Sequence, residues 1–163
     1  MPPLILFAFE GYTPLSLAAQ SAMNSALEMC ELLVSAGANI NVTNLRKQTL
    51  LHLASRSSAA PTSEYLASLS PQLVNVPDRF GDTPLHIATL RLHPTEIINT
   101  LIRAGADRRA VNDEGRTAYD LAVARSSVEA SWIPLLVVSE ARPRSVVYPY
   151  VNRCDSFDSV NWR

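Results

Sequence analysis

Four stretches of this chain repeat one another, and that repeat restricts the fold more than any other feature of the sequence. They are Thr13-Pro14-Leu15-Ser16-Leu17-Ala18, Thr49-Leu50-Leu51-His52-Leu53-Ala54, Thr83-Pro84-Leu85-His86-Ile87-Ala88 and Thr117-Ala118-Tyr119-Asp120-Leu121-Ala122. Their threonines lie 36, 34 and 34 residues apart. All five glycines of the 163-residue chain fall on two positions of this repeat. Gly11, Gly81 and Gly115 stand two residues before a threonine, and Gly37 and Gly105 stand in Ala-Gly-Ala. A period in the mid-thirties marks a supersecondary unit too small to bury its own apolar faces, so the units must stack.

Local chemistry says what each unit contains. Proline in the first turn of a helix removes an N–H that has no partner there anyway, and the threonine before it can cap the same helix. Leu15, Leu51, Leu85 and Tyr119, with Leu17, Leu53, Ile87 and Leu121 two residues on, make the packing side of a first helix apolar. Ala18, Ala54, Ala88 and Ala122 let neighbouring helices approach closely. A second helix follows at i, i+3, i+4 spacing, with Met29, Cys30, Leu33 and Val34 in one unit and Ile97, Ile98, Leu101 and Ile102 in another. Gly37 and Gly105 then supply the left-handed residue that ends it.

These residues resemble the ankyrin repeat, whose signature is Thr-Pro-Leu-His-x-Ala at a period near 33. The resemblance spans about residues 11–138 and is strongest from Gly81 through Asp107. It implies an all-α solenoid of stacked antiparallel helix pairs with projecting β-turn loops. The units fall at about 11–44, 45–78, 79–112 and 113–138, after an atypical apolar segment at 1–10 and before a C-terminal tail at 139–163. Several positions depart from the pattern. Ser16 and Asp120 stand in place of the histidine, Lys47 in place of the glycine before Thr49, and Pro71 where Ala-Gly-Ala has its glycine. The second helix of unit two has only Tyr65, Leu66 and Leu69 as large apolar residues. Pro134 must sit in the first turn of the last helix or kink it, where Trp132, Ile133, Leu135 and Leu136 are expected to close the stack.

Composition narrows the function. Hydrophobic residues at 47% and charged residues at 18% describe a globular chain. Fourteen basic against fifteen acidic residues give a net charge of -1, which offers no bulk attraction to nucleic acid or anionic lipid. Cys30 and Cys154 are too few for a disulfide framework or a cysteine zinc site. Leu4 to Phe9 is apolar over only six residues, lacks a charged stretch before it and meets Glu10 at once, so it fits neither a membrane span nor a signal peptide. The expectation is an intracellular, cytoplasmic protein, with the nucleus as the other compartment.

Catalytic patterns are missing. There is no Gly-x-Ser-x-Gly, Gly-x-Gly-x-x-Gly or Walker loop. His52 and His86 belong to the repeat signature, where the resemblance implies hydrogen bonds to loop backbone and hydroxyl groups of neighbouring repeats. His93 stands at a turn before Pro94, and Cys30 aligns with Ile98 as a core thiol. No three of these residues converge as metal ligands. The expectation is a non-enzymatic chain with no cofactor and no metal.

Repeat stacks bind through loop tips and the concave side of their first helices. By the resemblance, the tips carry Leu45, Arg46 and Gln48, then Arg79, Phe80 and Asp82, then Asp113, Glu114 and Arg116. The first helices end on Gln20 and Ser21, Arg56 and Ser57, Leu90 and Arg91, and Ala124 and Arg125. Arg46, Gln48, Arg56, Arg79, Phe80, Asp82, Arg91, Glu114, Arg116 and Arg125 are the candidate partner-binding residues, with Arg79 and Phe80 foremost, because arginine and aromatic side chains anchor interfaces. The expected partner is a protein offering an acidic or mixed-charge segment. The alternatives are a nucleic-acid-associated regulator, or a substrate-recognition part of a larger ubiquitin-ligase or signalling protein.

Overall fold

A computed structural model describes residues 11–23, 25–57, 59–91, 95–125 and 133–137. The apolar segment at 1–10, His93, Trp132 and the tail with Cys154 lie outside the described residues. Seven α-helices are described: α1 (Pro14–Gln20), α2 (Ala26–Ser35), α3 (Leu50–Ser57), α4 (Ala60–Leu69), α5 (Pro84–Thr89), α6 (Thr95–Arg103) and α7 (Ala118–Arg125). Each first helix begins on the residue after its threonine, as the spacing predicts. In unit one the Thr13 hydroxyl accepts the Ser16 N–H at 3.2 Å, while the Ser16 hydroxyl accepts the Thr13 N–H at 2.7 Å. Asp120 returns the same favour to Thr117 at 2.9 Å. The residues that replace histidine therefore keep the helix start intact.

The helices pack in two rows. First helices α1, α3, α5 and α7 stack in sequence, second helices α2, α4 and α6 form the other row, and each pair is antiparallel within its unit. One core runs between the rows, through Leu15, Leu51, Leu85, Ala54, Ala88 and Ala122 on one side and Cys30, Leu66, Ile98 and Leu101 on the other. After α2 the Gly37 N–H donates to the Val34 carbonyl and the Ala38 N–H to that of Leu33, and the same pair of bonds closes α6 at Gly105 and Ala106.

Three expectations need correction, and the departure at Pro71 takes a definite form. Leu17 was expected on the packing side and is 51% exposed, whereas its equivalents Leu53, Ile87 and Leu121 are buried. Met29 is likewise 49% exposed where Ile97 is 1% exposed. Those buried equivalents all follow a described helix pair, and Leu17 and Met29 do not. In unit two the proline at 71 replaces the glycine turn with a 3-10 helix, Pro71–Asn75, whose Leu73 and Val74 join the core while Leu69 is exposed. The last unit's described second segment is a single 3-10 turn, Ile133–Leu136, rather than a helix. Pro134, which has no N–H to donate, sits inside it, and Leu136 alone is fully buried there.

Candidate functional site

The loops between units share one construction, set by a residue five places before each threonine. Asn44, Asp78 and Asn112 each accept a backbone N–H on the side-chain oxygen from two residues on: Arg46 at 2.9 Å, Phe80 at 2.8 Å and Glu114 at 3.1 Å. The same oxygens accept Gln48, Asp82 and Arg116 N–H groups four residues on. Across each loop the backbones of 44 and 48, 78 and 82, and 112 and 116 are bonded, and the N–H of Lys47, Gly81 and Gly115 closes a tight turn onto the carbonyl of 44, 78 and 112. A short polar side chain that bonds its own backbone two residues on is the chemistry such a turn needs. The two residues at each turn's apex serve the frame through their backbone alone, and their side chains take no part in the turn's hydrogen bonds: Leu45 and Arg46, Arg79 and Phe80, Asp113 and Glu114.

Neighbouring tips are joined into a row. The Arg79 N–H donates to the Arg46 carbonyl at 2.9 Å and the Asp113 N–H to the Phe80 carbonyl at 3.0 Å. A histidine also links the units at each of these junctions. Thr49 N–H donates to His52 Nδ1 at 3.1 Å, so the ring proton sits on Nε2 and is donated to the Asp82 carbonyl of the next unit at 2.9 Å. His86 does the same between Thr83 and the Arg116 carbonyl. The hydroxyl partner of each histidine is therefore its own unit's threonine, and only the carbonyl belongs to the neighbour. Burial holds the His52 pKa below the ordinary value, against the opposing pull of the Asp82 carbonyl and of the Asp78 and Asp82 charges. Cys30 is a free, buried core thiol as expected, and burial with the nearby Glu31 charge pushes its pKa up.

The candidate residues divide on this frame. Arg46, Arg79, Phe80 and Glu114 are exposed at tip apices, and Arg91 is exposed just past α5. Leu45 beside them is 75% exposed and Phe80 55%, and the Arg79 guanidinium lies 5.5 Å from the Phe80 ring centroid. Arg56 is half-buried at the end of α3, and Arg116 is half-buried and paired with Glu114. Arg125 is the last residue of α7. Gln48 and Asp82 are not free surface. Gln48 is buried, taking the Asn44 side-chain N–H at 3.2 Å and giving its own to Asp78 at 3.3 Å. Asp82 is half-buried and accepts from Asn112 at 2.9 Å. Both tie one tip to the next, so the expectation that they meet a partner directly is corrected.

Sequence reasoning missed two things here. Asn44, Asp78 and Asn112 recur at 34-residue spacing, and that spacing was the signal available. Lys47 is exposed at the second tip and adds a third cation to Arg46 and Arg79. Among the described residues no three His, Cys, Asp or Glu side chains converge as a metal site, and no described helix is long and apolar enough to cross a membrane.

Comparison with known proteins agrees with this architecture. The family model described as ankyrin repeats, in three copies, matches residues 15–110. Rabankyrin-5 of Homo sapiens is 30% identical over 123 residues, covering 76% of this chain and 10% of its own length. Transient receptor potential cation channel subfamily A member 1 of Drosophila melanogaster is 31% identical over 121 residues, covering 72% of the chain and 10% of the channel protein. Neurogenic locus notch homolog protein 1 of Xenopus tropicalis is 28% identical over 171 residues, covering 77% and 7%. The chain thus spans a tenth or less of the length of these curated relatives. The tips, the two helix rows and the matched residues lead to one conclusion: this chain belongs to the ankyrin-repeat family.

Proposed function

We propose that the chain is a non-enzymatic protein-binding module that recognises a protein partner through its row of loop tips, aided by the ends of the first helices. Ankyrin repeats are in general protein–protein interaction modules, and this chain's surface fits that use. The observation that carries the reading is the exposure of Leu45 and Phe80 beside Arg46 and Arg79, on loops whose backbone is fixed by hydrogen bonds within each tip and between tips. Apolar and arginine side chains carried on a backbone that is fixed before a partner arrives spare the loop its ordering cost on binding. Asp113 and Glu114 in the same row, with the net charge of -1, weigh against nucleic acid as the partner. A cytoplasmic setting belongs to the same proposal.

The test is affinity capture from lysate of the source cell with wild type and an Arg79→Ala/Phe80→Ala variant, reading bound proteins by mass spectrometry. Circular dichroism checks that both are folded. A partner held by wild type and lost from the folded variant supports the tip row. The same partners on both would move the working surface elsewhere.

A further inference from the structure

We propose that the three described tips select an extended protein segment whose charges come in a set order: acidic residues, with an aromatic or aliphatic neighbour, over the second and third tips, and basic residues over the fourth. This rests on the tip-row reading above and names the chemistry of its partner.

The tips share one backbone and differ in what they display. Arg46 and Lys47 on the second tip and Arg79 on the third are exposed, and none is in an ion pair among the described residues. The fourth tip presents Asp113 and Glu114, both exposed. Two further carboxylates lie in the third tip, but both are turned into the frame. Asp78 is buried and accepts from the N–H groups of Phe80 and Asp82 and from the Gln48 side chain. Asp82 accepts from Asn112. Arg116 is paired with Glu114, and Asp113 stands outside that pair. What faces outward is therefore positive and apolar over two tips and negative over the third in the row.

The row also sets a ruler. Each tip is two antiparallel passes of chain, bridged at Thr43 and Thr49 in one and at Val111 and Thr117 in another, and adjoining tips share a backbone bond. At roughly 4.8 Å per pass, one tip advances about 10 Å, which an extended segment covers in about three residues. Acid and base in the partner thus stand about three to six residues apart. Leu45 and the Phe80 ring, with Arg79 against it, meet the apolar neighbour. A segment laid in the opposite order would set its acids against Asp113 and Glu114, so the row rejects as well as attracts.

Random peptides of about twelve residues, enough to cross three tips, are displayed and selected on the intact chain. The selection is repeated on a charge-reversed variant carrying Arg46→Glu, Arg79→Glu, Asp113→Lys and Glu114→Lys, with Arg79→Glu and Asp113→Lys alone as milder versions should the fourfold change unfold. The expected result is one consistent order of acid and base at that separation on wild type and the opposite order on the folded variant. Wild-type peptides should weaken about tenfold or more on the variant. Peptides that bind both proteins equally, or carry no charge order, overturn the proposal. If such peptides are still lost from a folded Leu45→Ala/Phe80→Ala variant, the tip row survives and only the charge order falls. If they are not lost, the tip-row reading falls with it. No enrichment at all overturns an extended segment as the partner.

Discussion

Lys47 has a φ of 57° and is the one residue other than glycine in the left-handed region among the described residues. It sits where Gly11, Gly81 and Gly115 sit in the other units. An L-residue there costs roughly 1–2 kcal/mol, while glycine's extra freedom in the unfolded chain costs roughly 0.5–1 kcal/mol, so the first term wins. Lys47→Gly should stabilise the protein by about 0.5–1 kcal/mol, a rise of roughly 1–3 °C in Tm by calorimetry. Gly81 is the reverse case. A Cβ built there would lie 2.6 Å from the Asp113 backbone nitrogen and 2.7 Å from its Oδ1, at φ 75°. Gly81→Ala therefore adds loss of the tip-to-tip bond to backbone strain and should cost about 3 kcal/mol. Gly115→Ala, with nothing within 4 Å of the added carbon, should cost about 1 kcal/mol. Equal losses in denaturant titrations of the two would show that the junction between tips does not bear on stability.

At the scale of the helix and its loop, the histidine signature is a link with a pH limit. The His52 ring accepts from Thr49 on Nδ1 and donates from Nε2 to the Asp82 carbonyl, so a second proton must go where an N–H already points. Its folded pKa is depressed by burial, so the unfolded state takes the proton more readily. The stability it lends is full above the unfolded value near 6.5 and is lost as pH falls below it. Wild type should lose more Tm between about pH 7.5 and about pH 5 than His52→Gln does; parallel curves would remove His52 as the cause. Much of this level was legible beforehand. Helix starts follow Thr13, Thr49, Thr83 and Thr117, Gly37 and Gly105 end α2 and α6, and Cys30 is core, because each depends on neighbours a turn or two away. Leu17 and Met29 were misplaced because burial at their positions comes from the preceding unit. Gln48 and Asp82 looked like surface because their partners lie 30 residues along the chain, at Asp78 and Asn112.

Across the whole molecule the links are uneven. Histidines join unit two to three and three to four, whereas Ser16, whose hydroxyl turns back to the Thr13 carbonyl at 2.7 Å, makes no such reach from unit one. Helix α2 also leaves Met29 and Leu32 exposed. In hydrogen exchange α2 amides should therefore open well before those of α3 and α5, since sparse burial sets local stability; uniform protection would contradict this. The apex pairs of the tips carry a longer consequence. Leu45-Arg46 and Arg79-Phe80 pair an arginine with an apolar residue while Asp113-Glu114 is wholly acidic, yet all three crown turns of one shape, because the shape is owed to Asn44, Asp78, Asn112 and the backbone alone. Side chains other than proline can thus be exchanged at such a loop while the scaffold keeps its hydrogen bonds, so a chain of this kind can change allegiance from one partner to another in single steps.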